Sequence, residues 1–137
     1  MKLFLDTNVL LDVLAQREPW VQDSATLLAL VDSGKIRGFV AAHTITTLHY
    51  LLSKHLSRER ATAALVELID LISIATVDAL VIQKGLSLGW HDFEDAVQAV
   101  CALEIEADYF VTRNPQDFSA LSIPVVIPSD VLQYLKL

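Results

Sequence analysis

Residues 3–14, LFLDTNVLLDVL, open on three apolar residues, meet a carboxylate at Asp6, and resume as an apolar series. The first part reads as the end of a buried strand over residues 2–6 (KLFLD). The second reads as a helix over residues 8–15 (NVLLDVLA) that ends before Pro19. Aspartate has little strand propensity and is costly to bury without a partner, so folding alone gives no reason for Asp6 at the end of a buried strand. Something else must compensate it, and the rest of the chain supplies candidates.

Outward from this segment, strands and helices alternate. Pro19 suits the first turn of a second helix that Gly34 terminates. RGFVAA (37–42) reads as a second strand, and Ile45, Leu48, Leu51 and Leu52 mark a helix from His43 to His55. Ser57 restarts a helix with Ala61, Ala64, Leu65 and Leu68 on one face. ISIATV (72–77) is a third strand, followed by a helix from Asp78 to about Leu88 that stops at Gly89. A further helix runs from Asp92 to about Glu106, DYFVT (108–112) is a fourth strand, IPVVIP supplies a short fifth, and a last helix starts at Ser129. This alternation, without repeat or linker, gives an α/β class with a mostly parallel sheet and more helix than strand. With 137 residues the chain suits one domain, taken as 1–137.

Hydrophobic residues make up 53% and charged ones 20%, a balance that excludes disorder and suggests a surface covered by a partner, as in a homodimer or a tight heteromeric complex. The net charge of −7 exerts no general pull on phosphate backbones. Nucleic-acid binding would then depend on local basic groups or on cations held by carboxylates. A single cysteine, Cys101, forms no intrachain disulfide and fits a reducing cytoplasm, as an inert thiol on the apolar side of a helix. No signal segment or membrane-spanning run is apparent. His43, His49 and His55 recur every six residues, on different helix faces, which argues against a zinc site.

Ligand crevices of open parallel sheets lie beyond the carboxyl ends of the strands. Asp6 closes the first strand beside Thr7 and Asn8. Asp117 follows the fourth strand through T-R-N-P-Q-D, where Pro115 ends strand pairing and leaves Asn114 and Asp117 near the sheet edge. Asp92 and Asp95, three residues apart, share one face of the late helix, whose apolar stripe is Phe93, Ala96, Val97, Val100 and Cys101; Glu94 points elsewhere. Each acid also has a local explanation: Asp6 and Asp92 as helix N-caps, Asp95 completing a capping box, Asp117 capping a turn. Their convergence on one cleft is what the local explanations do not account for. Crowded carboxylates repel unless a cation sits among them, and oxygen donors suit Mg²⁺ or Mn²⁺.

The three segments LFLDTNVLLDVL, DFEDAVQAVCA (92–102) and ADYFVTRNPQDF (107–118), in this order, resemble the signatures of PIN-domain proteins, which include the VapC-type toxins of toxin–antitoxin pairs. The resemblance implies a Rossmann-like three-layer α/β/α sandwich and an endoribonuclease site that uses Mg²⁺ or Mn²⁺ to hydrolyse RNA phosphodiesters. It also implies an antitoxin partner. Matched residue by residue, Asp6, Asp95 and Asp117 would be the catalytic metal ligands, with Asn8, Thr47, Thr112 and Asn114 in a supporting polar shell. The family usually carries a glutamate in the helix after the second strand; the matching segment AAHTITTLHYLL (41–52) has Thr47 near that position and no acid. Asp92 could replace that carboxylate as a metal ligand; otherwise the protein is a catalytically weak or inactive binding module. Arg113, inside the site loop, suits a substrate phosphate. The basic cluster Lys54, His55, Arg58 and Arg60 reads as a solvated turn, and Trp20 and Trp90 as core or interface residues, with base stacking a second role for Trp90.

Overall fold

The computed structural model describes residues 1–135. Five strands, β1 (Lys2–Leu5), β2 (Arg37–Ala41), β3 (Ser73–Ala75), β4 (Tyr109–Val111) and β5 (Val125–Val126), form one sheet in the order β3-β2-β1-β4-β5. Every pairing is parallel. Seven helices are described: α1 (Thr7–Leu14), α2 (Val21–Asp32), α3 (Ala42–His55), α4 (Arg58–Ile69), α5 (Ala79–Ser87), α6 (Phe93–Glu104) and α7 (Pro128–Tyr134), with a 3₁₀ turn at Pro115–Phe118. The expected class holds: helices cover both faces of a parallel sheet in a three-layer α/β/α sandwich.

Alternation along β1 makes the layers. Leu3 and Leu5 join Val40, Val111 and Val126 in a core packed by α1, α2, α3, α4 and α7, whereas Phe4 points the other way, toward α5 and α6. There Phe4 stacks on Phe110 at 5.3 Å between ring centroids, and Phe110 meets Phe118 of the 3₁₀ turn at 4.2 Å. Burial on both faces explains why the central strands read as continuous apolar runs. No helix among the described residues is long and apolar enough to cross a membrane.

Element ends are local chemistry. Gly34, at φ +82°, closes α2: its N–H donates to the Val31 carbonyl and that of Lys35 to the Leu30 carbonyl, the paired bonds of a left-handed helix cap. Gly38 in β2 serves a different purpose, close approach: a Cβ there would lie 3.1 Å from Val31 Cγ2, so the Val31 side chain of α2 would have to give by a few tenths of an ångström. Ser57 caps α4 by accepting from the Arg60 N–H at 3.1 Å. Two expectations shift. Pro19 sits in the turn before α2 rather than inside its first turn, and the edge strands β3 and β5 shrink to the three and two residues that face a neighbour.

The chain runs outward from β1 through β2 to β3 and then crosses back to β4 on the other side of β1, so the strand order reverses between β1 and β4. That switch point opens a crevice at the carboxyl ends of β1 and β4. Asp6 and Thr112 are the residues that follow those two strands.

Candidate active site

Asp6 stands at the N-cap position of α1, yet its side chain makes no capping hydrogen bond. The carboxylate turns instead into the protein, 4% exposed. Its Oδ2 accepts from the Thr112 hydroxyl at 2.7 Å and its Oδ1 from the Gln98 side-chain amide at 3.0 Å. The cap explanation of Asp6 therefore fails. Burial pushes its carboxyl up from the ordinary range; the Thr112 hydroxyl, the Gln98 amide and the nearby backbone amides of Asn8 and Thr7 pull against that. Among the described residues, no lysine or arginine is among the groups acting on it.

Across the crevice, an open cleft of about 350 Å³ is lined by Trp90, His91, Asp92, Asp95 and Asp117, among others. Asp95, in the first turn of α6, has its carboxyl pushed up to about 7, first by burial and then by Asp92, Asp6, Asp117 and Glu94. Each of these influences has the same sign, and no cation among the described residues offsets them. The structure thus brings Asp6, Asp92, Asp95 and Asp117 into one electrostatic neighbourhood. Glu94, exposed and not among the residues lining the cleft, still feels this charge: its carboxyl is raised by burial, then by Asp92 and Asp6.

Asp92 is the N-cap of α6, its Oδ1 accepting from the Asp95 N–H at 3.0 Å. One oxygen is thereby used locally. Asp117 lies in the 3₁₀ turn, which has no side-chain cap. Asn114 contributes through its backbone, whose N–H donates to Thr112 Oγ1 at 3.1 Å, so the hydroxyl that donates to Asp6 is itself oriented by the following loop. Asn8 is half-buried at the start of α1. Thr47 turns its hydroxyl onto the His43 carbonyl of its own helix at 3.2 Å. The α3 side chain that reaches the β1 junction is Thr44, fully buried, with its hydroxyl 2.9 Å from that of Thr7. Helix periodicity explains the difference, since Thr44 falls on the buried face with Leu48 and Leu52.

Arg113 does not line the acidic cleft. Its Nε lies 2.8 Å from Oδ2 of Asp12, a fully buried carboxylate of α1, and its guanidinium carbon sits 4.0 Å above the ring of Trp20. The N–H is not aligned for a hydrogen bond, so the contact is one of charge. Arg17 approaches the other oxygen of Asp12 at 3.5 Å. Asp12 and Gln98 are the residues sequence reasoning missed. Both left a trace: a carboxylate within the apolar run of α1, and an amide within the buried run Ala96–Ala102, three residues after Asp95.

The remaining candidates take structural roles. Trp90 lines the cleft and meets Phe118 edge-on at 6.0 Å, while Trp20 is 39% exposed beneath Arg113. Lys54 covers the Tyr50 ring, and Arg58 pairs with Glu59 in solvent, as a solvated turn requires. Cys101 is buried, its thiol pushed up to about 11 by burial first, and is inert.

The donor set consists of hard oxygens, the chemistry that Mg²⁺ and Mn²⁺ select. Among the described residues no three acidic, histidine or cysteine side chains are close enough to grip an ion by themselves. That arrangement still suits Mg²⁺, which commonly takes one or two carboxylates and completes its shell with waters and substrate phosphate oxygens.

Similarity to known proteins agrees with this fold. The chain is 25% identical over 130 residues to "Ribonuclease VapC1" of Aquifex aeolicus (strain VF5), covering 91% of this chain and 89% of that protein. It superposes on VapBC-1 from nontypeable Haemophilus influenzae with a TM-score of 0.72 at 16% identity, over 94% of this chain and 99% of that one. Mycobacterium tuberculosis VapC20, described as a sarcin–ricin loop cleaving toxin, gives 0.69 at 18% identity, over 88% and 95%. A PIN-domain family model matches residues 2–116, most of the chain and all of the acidic neighbourhood up to the residue before Asp117. The chain belongs to the PIN-domain family.

Proposed function

We propose that this protein is a Mg²⁺- or Mn²⁺-dependent endoribonuclease and the toxin of a toxin–antitoxin pair. The observation that carries the reading is the contrast between two buried aspartates six residues apart. Asp12 is paired with Arg113 and Arg17, whereas Asp6 has only neutral hydrogen-bond partners among the described residues and lies within electrostatic reach of the cleft carboxylate Asp95. A buried negative charge without a protein counterion calls for a cation from solution. The ribonuclease and toxin names of the relatives support the same direction.

When bound, Mg²⁺ supplies a water of lowered pKa and stabilises charge on the scissile phosphate. One or two of the carboxylates Asp6, Asp95 and Asp117 would hold it directly, with waters and substrate phosphate oxygens completing its shell; Thr112 and the Asn114 backbone orient Asp6, and Trp90 offers a face for a base. The net charge of −7 makes this cation the entry point for RNA. Exposed Leu80, Leu86 and Leu88 near α5 and Tyr50 and Leu51 on α3 offer apolar surface for the antitoxin and for a second copy of the chain. The single free cysteine fits a cytoplasmic setting.

Single-stranded RNA incubated with Mg²⁺ or Mn²⁺ tests this directly. Cleavage is expected to fall at least about 100-fold with EDTA or in Asp6→Asn. If no metal- and Asp6-dependent cleavage occurs, the second reading takes over: a PIN-fold binding module, which the absence of an acid from α3 favours. Asp92→Asn addresses that missing acid. Asparagine caps a helix as well as aspartate does, so the melting temperature should hold while Mn²⁺ affinity drops roughly tenfold. Unchanged affinity and cleavage would remove Asp92 from the site.

A further inference from the structure

Gln98 is a polar side chain in the most apolar stretch of α6, 1% exposed. Its two ends are used differently. The carbonyl Oε1 accepts from the Thr7 backbone N–H at 3.2 Å, and the amide Nε2 donates to Asp6 Oδ1 at 3.0 Å. Only oxygen can accept from a backbone N–H, so the Thr7 bond fixes the orientation of the amide and aims its N–H at Asp6. Asp6 Oδ2 is held by the Thr112 hydroxyl, itself oriented by the Asn114 N–H. The carboxylate is gripped from both sides by groups on two other segments of the chain.

We infer that Gln98 is a positioning residue that clamps the Asp6 carboxylate in its ion-binding orientation without neutralising it. This rests on the metal-dependent nuclease reading. Two features make the clamp suited to that task. Both donors are neutral, so the full charge of Asp6 stays available, unlike that of Asp12. A carboxylate has about four lone-pair sites, and the clamp takes one on each oxygen, so the two clamp bonds do not by themselves fill either oxygen. A cationic partner in place of Gln98 would hold Asp6 equally well and compete with the metal. An apolar residue would leave the Thr7 N–H unpaired and the carboxylate free to rotate.

The test compares Gln98→Met, which removes both bonds at similar length, with Gln98→Glu, which keeps an acceptor for Thr7 and replaces the donor facing Asp6 with an acceptor. Mn²⁺ affinity is measured calorimetrically on the full chain, alongside thermal melting and kcat and KM for single-stranded RNA. Both variants are expected to raise the Mn²⁺ dissociation constant 10- to 100-fold, with kcat largely recovered at saturating Mn²⁺ in Gln98→Met and KM for RNA unchanged. Should Gln98→Met fail to fold, Gln98→Glu alone carries the comparison. A lowered melting temperature with unchanged Mn²⁺ affinity in the folded variant overturns the inference and leaves Gln98 a packing residue. Absence of Mn²⁺ binding and of cleavage in the unmodified protein would instead sink the nuclease reading itself, so the two failures are distinguishable.

Discussion

Asp95→Asn is expected to lower RNA cleavage by roughly 10²- to 10³-fold while raising the melting temperature of the metal-free protein at pH 8 by about 3–5 °C. The opposite signs have one cause. The Asp95 carboxyl is pushed up from 3.8 to about 7, chiefly by burial and then by four neighbouring carboxylates. Between those values the native state holds a proton that the unfolded chain has released, so the contribution of Asp95 to stability is fully present below about pH 4 and is lost as pH rises through about 7. At pH 8 the penalty is complete, and asparagine, of the same shape and uncharged, removes it. A rise of this size corresponds to only about 1 kcal/mol, because Asp95 is partly exposed and water screens the repulsion. In EDTA the unmodified protein should therefore melt lower at pH 8 than at pH 5.5, with a flatter profile for Asp95→Asn. Added Mn²⁺ should restore the unmodified protein at pH 8 and do little for the variant. A melting temperature that rises from pH 5.5 to 8 in EDTA would contradict the crowded-carboxylate account.

Arg113→Ala should produce the largest loss of stability, about 3 kcal/mol or more. Removing one member of a buried ion pair strands the other charge, and such changes typically cost about 3–5 kcal/mol. Asp12 is fully buried, and the remaining Arg17, 3.5 Å away and partly exposed, offsets only part of the loss. The stacking of Arg113 on Trp20 adds about 0.5–1 kcal/mol. Because the penalty comes from an unpaired charge rather than from the absence of attraction, the double variant Asp12→Leu with Arg113→Met should recover most of the stability. Urea titrations of Arg113→Met, Asp12→Leu and the double variant complete the cycle. If Arg113→Ala unfolds at the same urea concentration as the unmodified protein but raises KM for RNA, the guanidinium serves substrate rather than α1, and the assignment of its charge to Asp12 is wrong.

The acidic neighbourhood was legible because its members sit where local patterns expose them. Asp6 interrupts an apolar strand, Asp92 and Asp95 share a helix face by spacing, and Asp117 follows a proline that ends strand pairing. What those residues do locally was less legible. Asp6 and Asp92 occupy equivalent N-cap positions, yet only Asp92 uses its side chain as a cap, because Thr112 and Gln98 offer Asp6 better partners from 106 and 92 residues away. Arg113 looked like a phosphate ligand because it lies in the site loop. Asp12, just over 100 residues earlier in the chain, claims its charge instead.

The amino-acid sequence by itself determined the alternation of strand and helix, the parallel sheet, and the strand end at which Asp6 stands. These follow from hydrophobic period, caps and breakers that act within a few residues. The tertiary structure alone decided which buried aspartate meets arginines and which meets only neutral partners among the described residues. That choice depends on partners brought together across the sheet, where burial makes the identity of each neighbour, charged or neutral, count for far more than it does in water.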